Sequence, residues 1–163
     1  MKKSCLFLAV FALLSYQCHA RIGESSAQLE KRFGPPIREL KQPGATIYQN
    51  QYINSDILIL ATICNGASVV EHYMKLKSVP VGNEAPVLIL MPVELAAAIL
   101  QANTEGSQWD EVENNEHTRR LVRADKKALA VIVKEKQSVK EVRISSVDFA
   151  EALAGRTSSG QNK

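Results

Sequence analysis

Residues that could carry catalysis or bind a metal are few and scattered in this chain. Beyond the first twenty residues the candidate ligands are Cys64, His72 and His117, without a Cys-x-x-Cys or His-x-x-x-His spacing. A transition metal needs three or four converging side chains, so no metal and no other cofactor is expected. A cysteine nucleophile needs a histidine within hydrogen-bond reach. On the predicted hairpin Cys64 faces Ala67 while His72 faces Ile59, so the two side chains should stand apart.

The remaining chemical candidates lie in and just after a polar loop in the second half of the chain. Asp110 and Glu113 could form a glycosidase-like carboxylate pair, although an exposed acidic loop is commoner. Ser107 lacks the flanking residues of a serine-hydrolase elbow or a phosphate loop. Trp109 is the only tryptophan, and binding hot spots favour tryptophan. Trp109, Ser107 and Arg123 are therefore the candidate binding surface, and the alternative, which the size of the indole favours, is that Trp109 fills a gap beneath the second helix.

The first twenty residues are typical of an export signal. Lys2 and Lys3 form a positive start, residues 5–14 are an apolar run too short to span a membrane, and small residues precede a predicted cleavage after Ala20. A buried N-terminal helix is the structural alternative. Acylation of Cys18 is a second alternative, disfavoured by the bulky glutamine before it. We expect residues 1–20 to be a signal peptide and the protein to be exported, either periplasmic or secreted.

Removal of residues 1–20 changes the net charge and the cysteine count of the chain. Of 163 residues 143 remain, with 18 basic against 17 acidic residues, a formal net charge of +1, and a single cysteine. No intrachain disulfide is then available, and no further segment is apolar enough to span a membrane. The basic residues around Arg119 and Arg120 alternate with apolar ones and follow an acidic stretch, which is typical of a solvated strand face rather than a nucleic-acid site. We therefore expect a small ligand or an envelope protein as partner, and no nucleic acid.

The elements that must position these residues follow a regular order. Ser25 and Gln28 form a capping box, and Gly34 ends the helix over residues 26–33. A second helix is predicted from Pro92 to Asn103, and a short one over residues 147–153. Alternating or continuous apolar runs predict the strands, and residues 87–91 are either a short strand or extended chain. The predicted strands are residues 45–52, 57–64, 68–76, 118–123, 128–133 and 139–145.

This order predicts an α+β fold. We expect two successive helix-plus-three-strand antiparallel units with the helices packed on one face and a short C-terminal helix. The units form one domain over residues 21–154 and are a candidate two-fold α-β-β-β repeat, about residues 21–79 and 92–146, although the sequence identity between them is too thin to establish a duplication. The polar residues 155–163 are expected to be a disordered tail.

Two segments resemble an uncharacterised family of small exported bacterial proteins. They are Gly23-Glu24-Ser25…Phe33-Gly34-x-Pro36, and Asn103-x-x-Gly106-Ser107-x-Trp109 with the hairpin Arg123-Ala124-Asp125 after it. The resemblance implies a fold and an exported location but no activity. The chain departs from it at the hairpin, where Leu121 or Val122 stands in place of a tryptophan and Asp125-Lys126 in place of Asp-Gly. The first helix alone is also similar to that of small outer-membrane-assembly lipoproteins, the SmpA/OmlA group.

These observations lead to one functional hypothesis and two alternatives. The protein is expected to be a non-catalytic, exported binding or scaffolding protein of the bacterial envelope, because no reactive constellation is recognisable. The first alternative is a small exported hydrolase with no recognisable motif, which would need a pocket with perturbed titratable groups. The second alternative is an envelope-assembly factor, which the similarity in the first helix suggests.

Overall fold

A computed structural model describes residues 21–78 and 85–159 of the chain. The predicted signal peptide and residues 160–163 of the predicted tail lie outside these residues. Helix α1 (Ser26–Phe33) begins with the predicted capping box, in which Ser25 accepts from the Gln28 backbone and Gln28 accepts from the Ser25 backbone. Gly34 follows at a φ of 83°, a conformation in which a side chain would be strained. The local sequence therefore fixes both ends of this helix.

Two further helices and nine strands complete the described residues. Helix α2 (Val93–Ala102) lies between Pro92 and Asn103, as predicted, and helix α3 (Val147–Ser159) follows the last strand without a loop. Helix α3 runs past the predicted end and includes backbone assigned from sequence to the tail. The strands are β1 (Arg38–Leu40), β2 (Ile47–Asn54), β3 (Ile57–Cys64), β4 (Ala67–Leu76), β5 (Leu88–Ile89), β6 (Trp109–Asn114), β7 (Thr118–Arg123), β8 (Ala128–Glu135) and β9 (Ser138–Ser146).

Within the described residues the strands form a single antiparallel sheet. Its order is β1-β2-β3-β4-β9-β8-β7-β6, with β5 paired to the end of β4. Strands β4 and β9 pair over four positions, from Val70 opposite Ser145 to Tyr73 opposite Val142. Beyond that point Met91 bridges to Val139, so the chain before α2 lies beside the start of β9. The second group of strands thus extends the sheet begun by the first.

The predicted fold class, two successive helix-plus-three-strand units, is wrong. The described chain is predominantly one nine-stranded sheet that continues across β4 and β9, and it has three strands that the units lack. An exposed edge on β4 would leave backbone donors and acceptors unpaired, and pairing with β9 removes that edge. Strand β5 lies within residues 87–91, for which the sequence predicts either a short strand or extended chain. Strand β1 is short and β6 is rich in charge, so these two carry little of the alternation by which strands are predicted.

The apolar core lies between one face of the sheet and helices α1 and α2. Leu29 of α1 and Leu100 of α2 pack there against the sheet. The sheet contributes alternate side chains from every long strand, among them Tyr52, Ile59, Ala61, Leu121, Ala130, Ile132, Val142 and Ile144. Residues with the opposite parity, such as Leu129 and Val131, point to the other face and are half-buried. The sheet therefore has one face covered by two helices and a second face that only α3 approaches.

Candidate functional site

Trp109, the residue singled out in the sequence, lies at the start of β6 and is half-buried. Its indole Nε1 donates to the backbone oxygen of Leu100 at the end of α2, over 2.9 Å, and the ring packs against the apolar core. The side chain therefore fills the space between α2 and the sheet. This position agrees with the alternative that the size of the indole favours, and a binding role for Trp109 stays a prediction.

Arg123 lies beside Trp109 on β7 but is buried, with 3% of its side chain exposed. Its guanidinium pairs with Glu105 over 3.1 Å and with Asp125 over 2.9 Å, and it donates to the Asn103 backbone oxygen. Burial alone would lower the pKa of Arg123, but the hydrogen bonds to Asp125 and Glu105 raise it above its ordinary value. These contacts fasten the loop after α2 to the β7–β8 turn.

Ser107 is half-buried in the same loop, and its backbone nitrogen donates to Thr104. The structure thus pairs Trp109 with Arg123 across β6 and β7, with Ser107 in the loop before β6. Each of the three side chains or backbones is engaged within the protein. They do not converge on a shared exposed surface.

A second group of polar residues, which we call the Arg32 cluster, is buried beneath α1. It consists of Glu24, Arg32, Glu71 and Tyr73. Arg32 Nη2 lies 3.0 and 3.1 Å from the two carboxylate oxygens of Glu71, and 3.0 Å from a carboxylate oxygen of Glu24. The Tyr73 hydroxyl donates to Glu71, whose side chain is wholly buried. One guanidinium therefore joins the segment before α1, α1 itself and β4.

Burial governs the acidity of two members of the Arg32 cluster. It raises the pKa of Glu24, although Arg32 opposes the shift. It also raises the pKa of Tyr73 well above its ordinary value, and the neighbouring Glu71 adds to that effect. A shifted group at an accessible cleft is a candidate for catalysis. None of the cavities described below is lined by a member of this cluster, so its arrangement is that of a structural ion pair.

Cys64 and His72 stay apart on the β3–β4 hairpin. Cys64 pairs with Ala67, as predicted, but His72 lies opposite Leu60 rather than Ile59, because a bulge at Thr62 and Ile63 shifts the register by one. Burial lowers the pKa of His72, and the nearby Arg143 lowers it further. In residues 21–78 and 85–159 no three histidine, cysteine or acidic side chains group closely enough to hold a metal.

A large opening lies on the second face of the sheet, between helix α3 and strands β6–β8. We call it the α3 cavity. It has a volume of about 610 Å³. Val112, Val122 and Leu129 line it from the sheet, and Val147, Ala150 and Ala154 line it from α3. Val122 and Leu129 are paired neighbours on β7 and β8, and they point away from the core residues Leu121 and Ala128.

The α3 cavity exists because the helix turns small side chains toward the sheet. Val147, Ala150 and Ala154 recur at the three- and four-residue spacing of one helix face. The larger Leu153 is 48% exposed, so the side chain that could fill the space lies elsewhere. On the sheet side Val112 is 60% exposed. Apolar surface is thus left uncovered on both sides of a gap that ordinary packing would close.

Charged residues stand at the rim of the α3 cavity. Asp110 and Glu151 supply carboxylates and Lys126 supplies an ammonium group, from three different elements. Arg123 also contributes to the wall, although its guanidinium is held by Glu105 and Asp125. An apolar interior with a few polar groups at its margin is the usual composition of a small-molecule site. The geometry offers an apolar surface to a bound group, and the cavity contains no cysteine, serine or histidine among its described lining residues.

The predicted binding surface and the α3 cavity share Arg123 alone. Arg123 was in the predicted surface and Asp110 follows Trp109, but the lining residues of α3 were absent from it. The available signal was the pattern of α3 itself, in which alanines take the positions at which a packed helix would carry leucine. The alanines of α3 indicate a cavity only when the helix is known to lie over the sheet.

Comparisons with known proteins leave the chain without an assigned family. No protein-family model and no curated protein matches it. Solved structures similar to it include a cysteine-rich secretory protein from Staphylococcus aureus, at 11% identity and a TM-score of 0.44. Another is an extracellular protein containing a SCP domain from Bacillus anthracis, at 11% identity and a TM-score of 0.46.

Each likeness covers 78% of this chain, but only 44% and 45% of the two proteins, so the chain spans less than half the length of either. Both TM-scores are too low to assign a fold or a function from these proteins. The resemblance of the sequence to a family of small exported proteins stays a prediction. Separately, no helix in the described residues is long and apolar enough to cross a membrane.

Proposed function

We propose that this chain is a non-catalytic, exported binding protein of the bacterial envelope, and that it holds a small apolar molecule in the α3 cavity. The observation that carries the proposal is the lining of that cavity. Valine and leucine from the sheet face valine and alanine from α3 across about 610 Å³, a volume within the range of small-molecule sites. The exported location rests on the signal-like residues 1–20.

The α3 cavity suits a small molecule better than a partner helix or a second copy of the chain. Helix α3 already covers this part of the sheet, so a protein partner would have to displace it, whereas a small molecule fits beneath it. The charged lining residues Asp110, Lys126 and Glu151 are exposed to solvent, and the guanidinium of Arg123 is held by Glu105 and Asp125. An uncharged apolar body therefore matches the interior, with any polar group directed to the rim.

The test is a fluorescence titration of the chain from residue 21 onward with N-phenyl-1-naphthylamine, a neutral apolar probe. We expect saturable binding with one site. Ala150→Phe places a ring in the cavity and should weaken binding at least about tenfold. Ala152→Phe is the matched control, because Ala152 lies on the same helix, is exposed and does not line the cavity. It should leave the affinity unchanged.

A second variant guards against misfolding of Ala150→Phe. Val112 is 60% exposed, so Val112→Ser should fold normally while it removes apolar surface from the cavity wall, and it should weaken the probe about twofold to fivefold. The proposal is contradicted if the wild-type chain shows no saturable binding, or if both alanine variants bind the probe equally well. Binding accompanied by dissociation of α3, followed by amide hydrogen exchange, would instead indicate a protein-docking surface and would also contradict it.

A further inference from the structure

A second cavity lies on the opposite face of the sheet, and its lining differs in charge. It has a volume of about 180 Å³ and opens between helix α2 and the far ends of β7–β9. Ala96, Ala97 and Leu100 of α2 face Ile132 and Val139 of the sheet across its floor. We call it the α2 cavity. Ile132 and Val139 belong to the apolar core and are almost fully buried, so core residues form the floor of the cavity.

The charged side chains that line the α2 cavity are all basic. They are Arg119 from β7, Lys134 from β8 and Lys136 from the β8–β9 turn, and no acidic residue lines the cavity. Arg119 pairs with Glu111 of the neighbouring strand. Lys134 donates to the amide oxygen of Asn114 over 2.8 Å, and its ammonium group also interacts at longer range with the carboxylate of Glu111.

Neither lysine forms an ion pair with any residue in the part of the chain that the structure describes. Lys136 is exposed, and its φ of 56° lies in the left-handed region, which glycine and asparagine usually occupy. Three basic residues with the single nearby carboxylate of Glu111 therefore leave an excess of positive charge around an apolar pocket.

We infer that the α2 cavity binds a small amphipathic carboxylate, with its alkyl part on the floor and its carboxylate between Lys134 and Lys136. The apolar floor accounts for the alkyl part, and the excess positive charge at the mouth accounts for the anion. A volume of about 180 Å³ limits the ligand to a short chain, and hexanoate is a suitable probe. This site is independent of the α3 cavity, because the two lie on opposite faces of the sheet.

The experiment is an amide NMR titration of the chain from residue 21 onward with hexanoate, hexylamine and hexanol. The three probes have the same alkyl length and differ in charge. Hexanoate should shift the amides of Ala97, Lys136 and Ser138 in a saturable manner, in the millimolar range. Hexylamine should not bind there, because its charge matches that of the lysines. Raising the salt concentration should weaken hexanoate, because the lysines are near the surface.

Single lysine variants distinguish the effect of the two cavity lysines from the effect of the net charge of the protein. Lys134→Gln and Lys136→Gln should each weaken hexanoate about twofold to fivefold. Lys140→Gln makes the same change of charge at an exposed position of β9 that does not line this cavity, and it should have no effect. Equal binding of hexanoate and hexylamine, unchanged affinity in both cavity variants, or shifts confined to the α3 cavity would each overturn the inference. Ala150→Phe should leave hexanoate binding intact whether or not the proposed function is correct.

Discussion

Filling the α3 cavity from the helix side should stabilise the protein while it abolishes binding. Ala150 is half-buried and faces the gap. Ala150→Leu adds three carbon groups, each worth about 0.8 kcal/mol when fully buried. Half of that burial gives about 1.2 kcal/mol, and the loss of leucine rotamer freedom removes about 0.5 kcal/mol. We therefore expect a net gain of about 0.7 kcal/mol in the free energy of unfolding.

The assay is urea denaturation combined with a thermal scan of the chain from residue 21 onward. For a chain of this size the expected gain corresponds to a rise in Tm of about 1–3 °C. Ala152→Leu, on the exposed side of α3, should change the free energy of unfolding by less than about 0.5 kcal/mol. A loss of more than about 1 kcal/mol in Ala150→Leu would refute the reasoning, because it would mean that the helix already packs tightly against the sheet.

Three further predictions concern the packing and the electrostatics. Trp109→Phe removes the hydrogen bond to Leu100 and should cost about 1–2 kcal/mol by urea denaturation. The pKa of His72 is lowered in the folded state, so the unfolded chain binds more protons below pH 6.5. The free energy of unfolding should therefore fall as the pH drops through that range, and His72→Gln should remove this pH dependence. Arg32→Met leaves the buried Glu71 carboxylate without its partner and should cost about 3–5 kcal/mol. Adding Glu71→Met should recover part of that cost, since Glu24 still lacks its ion pair and Tyr73 its acceptor, and additive effects would show that Arg32 and Glu71 are not coupled.

Local sequence signals predicted the helices and the long strands well. The capping box at Ser25 and the strand over Ile57–Cys64 are found where they were expected, because a cap or a continuous apolar run depends on few neighbours. The acidic strand β6 was missed because its stability comes from β7. Glu111 pairs there with Arg119 and Glu113 with Arg120, and such cross-strand partners are invisible to a window along the sequence.

The assembly of the sheet was beyond local signals for the same reason. Strands β4 and β9 are far apart in sequence, and only four paired positions join them. Two separate units and one continuous sheet share the same order of elements, so periodicity cannot distinguish them. The Arg32 cluster is a similar case, because Glu71 on an alternating strand gives no sign that its carboxylate is wholly buried against α1.

The candidate site could be predicted only in part. Of the three residues of the predicted binding surface, Arg123 contributes to the wall of the α3 cavity. The alanines of α3 were not chosen, since small apolar residues carry no chemistry of their own. Their importance comes from what they leave unfilled once the helix lies across β7 and β8, which is a property of packing rather than of residue type.

The central claim is that the α3 cavity holds a small apolar molecule. The most direct measurement is methyl NMR of the chain from residue 21 onward with N-phenyl-1-naphthylamine, recording nuclear Overhauser contacts between probe and protein. The proposal predicts contacts to the methyl groups of Val112, Val122, Leu129 and Ala150, with α3 remaining in place. Contacts confined to the exposed apolar residues of β5, or no saturable contact at all, would contradict it.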